Sequence, residues 1–331
     1  MDKKTKQMLF IDHAFHEHTK SVEFVKELFV KDYSIDMLYL NPENENDSNA
    51  FRALDKKHYH EVVIFQLMPS LNWLKNYISW DKIAFFPMYD GVAPLNDIIW
   101  QEYRKVKIIS FSKTLKKSLQ NRGFDVKYIQ YFPEPQKITT WGQEDSVFYW
   151  QRVHRLPIQT ILNTIQNCVS KIHIHTSMDP HHAAIEIITD KEVTRSSWFE
   201  TKEEMLSKML ESALYIAPRL SEGIGMSFLE AMAMGRCVIA ANLPTMSEYI
   251  QDGKTGFLYD LDDISKLKIK NVLKIQKNTL KYIQKGYKNW SKNKKKILKW
   301  IQSSVHPHPV QHQFSFFLFG KIPLFKWGKT K

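Results

Sequence analysis

The chain has 331 residues, a length typical of two domains. Apolar residues make up 43% of it and aromatic residues 13%, which excludes a disordered or low-complexity chain. The net charge of +12 comes from one region, because residues 264–331 contain 17 lysines and no acidic residue and residues 1–263 carry −5. A polyanionic partner would therefore contact the C-terminal tail and not the body of the protein.

Cysteine content and hydropathy indicate a cytoplasmic protein. Cys168 and Cys237 lie far apart in apolar segments, so neither a disulfide framework nor a zinc motif is indicated. The apolar run near the N-terminus is too short for a signal peptide, and no segment approaches the 18 apolar residues of a membrane span. We expect a protein that is soluble or peripheral to a membrane.

Residues 1–135 alternate short apolar runs with amphipathic stretches, the pattern of a parallel sheet covered by helices. The polar stretch 41–57 predicts a long loop. The predicted strands are Met8–Ile11, Ile35–Leu40, Val62–Gln66, Ile83–Pro87, Ile108–Phe111 and Val126–Ile129. The predicted helices are Ser21–Phe29, Leu71–Trp80, Asp97–Arg104 and Lys113–Arg122.

A proline-rich hinge near residue 135 separates this set from a second one over residues 136–263. Its predicted strands are Val147–Trp150, Lys171–His175, Ala184–Ile188, Leu214–Ala217, Cys237–Ala240 and Phe257–Tyr259. Its predicted helices are Pro157–Val169, Thr201–Ser212, Ser227–Met234 and Pro244–Gln251. Basic helices over 264–304 and an aromatic tail over 305–331 follow. The sequence thus predicts two doubly wound α/β domains, with ligands in the cleft between them at the carboxyl ends of the strands.

The loop after the predicted strand Leu214–Ala217 combines an arginine, two glycines and a glutamate ahead of a helix. A helix N-terminus has unpaired N–H groups and partial positive charge, so a strand, a glycine loop and a helix together form an anion site. Glu222 in the loop and Glu230 in the helix flank this site, and carboxylates there suit sugar hydroxyls. A ligand with both a diphosphate and sugar rings is therefore predicted.

Two other interpretations of this segment remain open. Ser227 and Glu230 have the spacing of a capping box, in which the glutamate bonds back to the first amide of the helix. Gly223 and Gly225 also match two of the three glycines of a dinucleotide fingerprint. They follow the fourth strand of their domain instead of the first, which disfavours a Rossmann dehydrogenase.

The run from Ser221 to Gly235, SEGIGMSFLEAMAMG, resembles the signature of the retaining glycosyltransferases of family 4, which have the GT-B fold. Pro244, Glu248 and the run Asp252–Leu258 continue the family pattern in register. The resemblance implies that Glu222 faces the donor sugar and that Glu230 binds the ribose hydroxyls of a nucleotide. It also places the backbone around Gly223, Gly225, Met226 and Ser227 against the sugar or the phosphates.

The same family has an arginine and a lysine at the start of its second domain, where they neutralise the leaving diphosphate. Arg152, in the run Tyr149-Trp150-Gln151-Arg152, falls on the arginine position, whereas the usual Lys-Gly is absent. Arg155 or Arg219 could substitute, because guanidinium groups bind phosphate in a bidentate way. Arg155 is equally consistent with a solvated surface residue.

The first domain lacks the glycine pair that usually follows the first strand in this family. Its His-rich opening and a Met-Tyr-Asp run are similar to a subset of bacterial members, which implies that His16, Lys20 and Asp90 lie on the acceptor side. Asp90 follows a predicted strand and is the acceptor-side candidate for catalysis. His13, His16 and His18 could also be metal ligands, but the resemblance implies no metal, and His173 and His175 are interpreted as sheet residues.

The implied reaction is the transfer of a hexosyl group from a nucleotide-diphosphate sugar to a glycan or a lipid-linked glycan, with retention and without a metal or other cofactor. The implied setting is the synthesis of bacterial surface polysaccharide of the lipopolysaccharide or capsule type. Arg152 and the helix N-terminus would stabilise the departing diphosphate. The alternative is a catalytically inactive GT-B-like module or partner subunit that only binds a nucleotide sugar, since the Lys-Gly and Gly-Gly elements are missing.

The lysines around Ile297 and Trp300 predict a basic amphipathic helix, and the aromatic stretch Phe314–Trp327 predicts a docking element. Together they indicate an anionic membrane surface as partner of residues 264–331, at the inner face of the cell membrane. We also expect these helices over 264–304 to pack partly back on the first domain, and docking to a protein partner is the alternative to the membrane. A nucleic-acid partner is disfavoured, because the tail has no arginine and the body is acidic.

Overall fold

The computed structural model describes residues 6–19, 21–41, 54, 58–72, 74, 78–304, 314–318 and 322–327. For His18 and the last two segments only the secondary structure is described. The chain divides into two compact units, the first formed by 1–129 with 293–331 and the second by 130–292. The predicted site residue Lys20 and most of the predicted loop 41–57 lie outside the described residues.

The first unit contains a sheet of six parallel strands in the order β2-β1-β3-β4-β5-β6. The strands are β1 Lys6–His13, β2 Tyr33–Leu40, β3 Glu61–Phe65, β4 Ile83–Phe86, β5 Lys107–Ser110 and β6 Val126–Tyr128. The helices are α1 Phe15–Thr19, α2 Glu23–Lys26, α3 Tyr89–Val92, α4 Asp97–Trp100 and α5 Lys113–Asn121, with 3-10 turns at Trp80–Lys82 and Gln101–Lys105. Every residue of β3, β4 and β5 is buried, as expected for a parallel sheet covered on both faces.

The second unit also contains six parallel strands, in the order β12-β11-β10-β7-β8-β9. The strands are β7 Gln143–Gln151, β8 Lys171–Thr176, β9 Glu192–Ser196, β10 Ser212–Ile216, β11 Cys237–Ala241 and β12 Phe257–Tyr259. The helices are α6 Ile158–Ile165, α7 Lys202–Leu210, α8 Met226–Ala233, α9 Met246–Tyr249 and α10 Val272–Asn293, with 3-10 turns at Gln166–Cys168 and Ile264–Lys266. The first and fourth strands of the unit, β7 and β10, are neighbours, so the strand order reverses between them.

The predicted strand at Ala184–Ile188 is wrong, because this stretch is irregular and the third strand of the unit is Glu192–Ser196. Side chains bond the main chain of the irregular stretch. Gln151 donates to the Ile185 carbonyl at 2.7 Å, and Gln159 bonds both main-chain groups of Ile188. The true strand is at the sheet edge and is mostly exposed and polar, so it lacks the apolar run on which the prediction depended.

The last helix of the first unit, α11 Lys295–Ile301, is separate from α10, and Ile297 and Ile301 are fully buried. The buried ammonium of Lys107 donates to the Ile301 carbonyl, and the Gln302 amide donates to the Tyr33 hydroxyl at 3.0 Å. The apolar side of this basic helix is therefore occupied by packing within the unit. Further along, β13 Phe314–Leu318 and β14 Ile322–Trp327 form an antiparallel hairpin.

Among the helices in the described ranges, none has the length and apolar character needed to cross a bilayer.

Candidate functional site

The reversal of strand order in the second unit identifies a candidate site. Open parallel sheets bind ligands beyond the carboxyl ends of their strands, at the point where the strand order reverses. Arg152 directly follows β7 and Arg219 lies three residues after β10, so both arginines lie at this point. Asp179 follows the neighbouring strand β8.

Asp179 joins the two arginines. Its Oδ1 accepts hydrogen bonds from Arg152 Nε at 2.9 Å and Nη2 at 2.7 Å, while its Oδ2 accepts one from Arg219 Nε at 2.7 Å. The Arg152 guanidinium also lies 4.9 Å from the centre of the Trp150 ring, a distance at which cation–π attraction acts. The structure thus brings Arg219 to Arg152, whereas Arg155 is exposed.

Sequence reasoning missed Asp179. The available signal was its place just beyond a predicted strand, the same signal that identified Asp90. It went unused because the loop 176–182 has no recognisable motif.

Glu222 completes the cluster from the loop before α8. Its side chain is buried, and Oε2 lies 3.8 Å from Arg219 Nη1. The Thr245 hydroxyl donates to the Glu222 carbonyl at 2.7 Å, and Thr245 has a left-handed backbone with φ of 75°. A hydrogen bond from another loop therefore fixes the backbone that carries this carboxylate.

Gly225 is the N-cap of α8 and has φ of 81°, in the left-handed region that favours glycine. As a glycine, this N-cap residue has no side chain that could cap the first turn of the helix. Because the helix begins at Met226, Ser227 lies inside its first turn, and the capping box of Ser227 and Glu230 is not formed. The first N–H groups of α8 therefore lie beside the cluster and are not capped by the N-cap residue.

Glu230 lies one turn further along α8, where its carboxylate forms an ion pair with Lys202 at the start of α7. The glutamate is partly exposed and the lysine is mostly exposed. Sequence reasoning missed Lys202 as well, since nothing in a solvated Lys-Glu-Glu run singles out one lysine.

Aromatic rings from the central strands support the cluster from within the sheet. Tyr215 is fully buried and stacks on Phe148 with ring centres 5.8 Å apart, and burial raises the pKa of its phenol.

Burial lowers the pKa of His173 and of His175 to about 4, so both imidazoles are neutral at pH 7. Both rings form hydrogen bonds with the hydroxyl of Ser196 on the neighbouring strand β9, so both histidines are residues of the sheet.

The predicted acceptor-side residues belong to the first unit. His16 lies in α1, and its Nδ1 is 2.7 Å from Oδ1 of Asp12, a fully buried residue near the end of β1. Asp90 lies in the first turn of α3 and accepts a hydrogen bond from the Gly91 amide at 3.0 Å. Asp12 was missed, although its spacing of four residues from His16 was a usable signal.

In the part of the chain that the structure describes, no three His, Cys, Asp or Glu side chains are grouped as metal ligands.

Residues 186–296 match the family profile described as glycosyl transferases group 1. An uncharacterized 41.2 kDa protein in the cps region of Klebsiella pneumoniae is 32% identical over 108 residues, which cover 32% of this chain and 30% of that protein.

Several solved structures share the fold. A sucrose-phosphate synthase from Thermosynechococcus elongatus has a TM-score of 0.67 at 13% identity, over 90% of this chain and 98% of that one. HepE from Anabaena, in complex with UDP and glucose, has a TM-score of 0.60 at 11% identity, over 90% and 99%. TarM has a TM-score of 0.56 at 16% identity, over 76% of this chain and 57% of that one. The predicted GT-B fold is confirmed.

Proposed function

We propose that this chain transfers a sugar from a nucleotide-diphosphate sugar to a hydroxyl of a glycan or a lipid-linked glycan. The proposal is supported by the match of residues 186–296 to the profile of the group 1 glycosyltransferases and by the GT-B fold. The observation that supports this most strongly is the cluster of Arg152, Asp179, Arg219 and Glu222 beside the N-terminus of α8. A diphosphate and a sugar ring need the groups that this cluster combines.

Each part of the donor is matched by different residues. The N-terminal amides of α8 suit the diphosphate, and Arg152 and Arg219 add guanidinium groups that bind phosphate oxygens. Glu230 is partly exposed and suits the vicinal hydroxyls of a ribose. Glu222 would bond the hydroxyls of the transferred sugar. UDP is the first nucleotide to test, since HepE was solved with UDP and glucose.

We infer that the sugar is transferred with retention and without a metal. Support for retention comes from the two glutamates, Glu222 and Glu230, in the SEGIG and LEA setting of retaining enzymes. In the proposed step the bond between the anomeric carbon and the diphosphate oxygen breaks, and its electron pair leaves with the diphosphate. The acceptor oxygen bonds the same face of that carbon, and its proton passes to the leaving phosphate.

The proposal is tested by thermal shift against sugars of UDP, GDP, ADP, dTDP and CMP, followed by measuring nucleotide release from the donor that stabilises the protein. Glu222→Ala and Arg152→Ala should each lower the rate at least about a hundredfold, because each removes a charged group from the reacting centre. Arg155→Ala, which removes an exposed arginine, is the matched control and should keep the rate. Full activity of Glu222→Ala would contradict the assignment, and NMR of the product's anomeric proton decides retention.

A non-catalytic module that only binds a nucleotide sugar is the second candidate. It is favoured by one observation, that Asp179 already engages both arginines of the site. Nucleotide release separates the two candidates, since a binding module would show the thermal shift without turnover.

We also propose that an anionic membrane surface is a partner, through lysines of the C-terminal helices. Packing occupies the apolar side of α11, so this contact would be electrostatic and not an insertion. The K. pneumoniae relative comes from a cps region, which supports a role in surface polysaccharide synthesis at the inner face of the cell membrane.

A further inference from the structure

Two histidines face each other beside the arginine cluster. The Nδ1 atoms of His154 and His182 are 2.9 Å apart, and their ring centres are 4.6 Å apart. His154 lies two residues after Arg152, and His182 lies three residues after Asp179. Nothing in the glycosyltransferase motif includes this pair.

Main-chain hydrogen bonds connect the pair to the cluster. The Asp179 amide donates to the Arg152 carbonyl at 2.9 Å, and the His182 amide donates to the Asp179 carbonyl at 3.2 Å. The His154 amide donates to His182 Nδ1 at 3.3 Å, which joins the two loops again. The loops that follow β7 and β8 therefore hold the two imidazoles at a fixed place relative to Arg152.

The cluster itself is formally neutral, because two arginines are balanced by Asp179 and Glu222. A diphosphate diester carries two negative charges, and the α8 N-terminus offers about half a positive charge. Binding a diphosphate here therefore calls for another positive charge close to Arg152.

We propose, on the basis of the proposed function, that the His154–His182 pair supplies this charge by taking up one proton when the diphosphate of the donor binds. In the neutral pair one Nδ1–H donates to the other Nδ1, which leaves the Nε2 atom of the donating ring without a proton. Protonation there keeps the shared hydrogen bond and gives each ring an Nε2–H donor. Histidine suits this role because it changes charge between pH 5 and 8.

The other ionisable groups on the loops after β7, β8 and β10 are Arg152, Arg155, Asp179, His181, Glu186, Asp190, Lys191, Arg219 and Glu222. Among these groups His181 is a third histidine, so it needs a control of its own. By linkage, a proton that strengthens diphosphate binding is itself bound more tightly when the diphosphate is present, by the same factor.

The test measures affinity and proton uptake by calorimetry, with UDP-glucose as the probe and the other nucleotide sugars as replacements if it does not bind. A nucleotide sugar is used instead of UDP because it has no terminal phosphate that titrates near pH 6. Wild-type affinity should rise about tenfold from pH 8 to pH 6, since one added charge close to the ligand contributes this much even when screened. The heats in phosphate and Tris buffers at pH 7 should show a proton entering the complex.

The double substitution His154→Gln and His182→Gln should reduce both the pH dependence and the proton uptake to near zero, and both residues are accessible enough for the fold to tolerate it. His181→Gln tests the neighbouring histidine, and His60→Gln, in the first unit, is the matched control. Both single variants should keep the wild-type pH dependence. A wild-type affinity that does not change with pH would overturn the inference, as would a double variant that keeps the full change. If no nucleotide sugar binds the wild type at any pH, the proposed function fails first.

Discussion

Gly225 shows how one residue sets the geometry of the candidate site. Its φ of 81° costs any other residue about 1 kcal/mol. A Cβ atom at this position would also overlap the ring of Phe228, which is fully buried. The helix N-terminus of the site therefore depends on the absence of a side chain here.

We predict that Gly225→Ala lowers the free energy of unfolding by about 3 kcal/mol, because overpacking adds to the backbone strain. Urea denaturation followed by circular dichroism measures this. Gly253→Ala is the matched control, since Gly253 has φ of 65° but open space around its Cα, and it should cost only about 1 kcal/mol. Equal losses in the two variants would show that the contact with Phe228 is not what requires glycine.

The residues of the loop before α8 predicted Glu222 and Gly225 as candidates, and the family resemblance predicted Arg152, but neither predicted which groups contact each other. Arg155 and Arg219 were equal alternatives in the sequence, and only the hydrogen bonds of Asp179 distinguish them. Asp12 and Lys202 were missed for the same reason, since their importance lies in a partner and not in a motif.

At the scale of elements, a buried lysine holds α11 in place within the first unit. Glu61 begins β3 and Lys107 begins β5, and both side chains are buried. The Lys107 ammonium donates a hydrogen bond to the last carbonyl of α11, that of Ile301. The carboxylate of Glu61 lies 3.9 Å from the ammonium of Lys82. Burial raises the pKa of Glu61 to about 7, although Lys82 and Lys107 lower it in part.

This carboxyl should make the first unit lose stability as pH rises from about 4.5 to about 7. In that range the unfolded chain has released the Glu61 proton, whereas the folded unit still holds it, so unfolding releases a proton. The loss is at most about 3 kcal/mol. Urea midpoints at pH 5, 6 and 7 measure it, and Glu61→Gln should remove this contribution.

Glu27→Gln, which changes an exposed glutamate of the same unit, should keep the wild-type pH dependence. If the stability of Glu61→Gln fell with rising pH as steeply as that of the wild type, Glu61 would be ionised throughout this range.

Element prediction was accurate where burial on both faces makes a strand continuously apolar, as in β3, β4, β10 and β11. It failed at β9, where an exposed edge strand is polar and a nearby apolar run is bonded by side chains. It also placed the start of α8 one residue late, because Ser227 is a common N-cap residue and the left-handed glycine before it was not recognised as the cap.

At the scale of the whole molecule, the excess of lysine forms a ridge along α10. Six exposed lysines follow each other at spacings of three and four residues, which places them on one side of the helix. They are Lys274, Lys277, Lys281, Lys285, Lys288 and Lys292. The opposite side is buried through Ile275, Thr279, Ile283 and Trp290.

We predict that this lysine ridge carries the proposed membrane contact. The test variant combines Lys281→Glu, Lys285→Glu and Lys288→Glu. It should bind vesicles that contain phosphatidylglycerol about a hundredfold more weakly or worse, since each lysine contributes about 1 kcal/mol. Co-sedimentation measures binding, which should also fall as salt rises. The control reverses the exposed lysines Lys31, Lys113 and Lys117, which changes the net charge equally. Equal losses in the two variants would assign the binding to net charge alone.

The sequence by itself determined the class of fold, the two sets of alternating elements and the glycine loop ahead of α8. These depend on periodicity and on local backbone preferences, which neighbouring residues in the chain decide. Only the tertiary structure decided which strands are neighbours, and with that the reversal of order between β7 and β10 that brings Arg152 and Arg219 to one carboxylate. It also decided that the apolar side of α11 is buried within the first unit. Contacts between residues far apart in sequence depend on packing, and no local pattern records them.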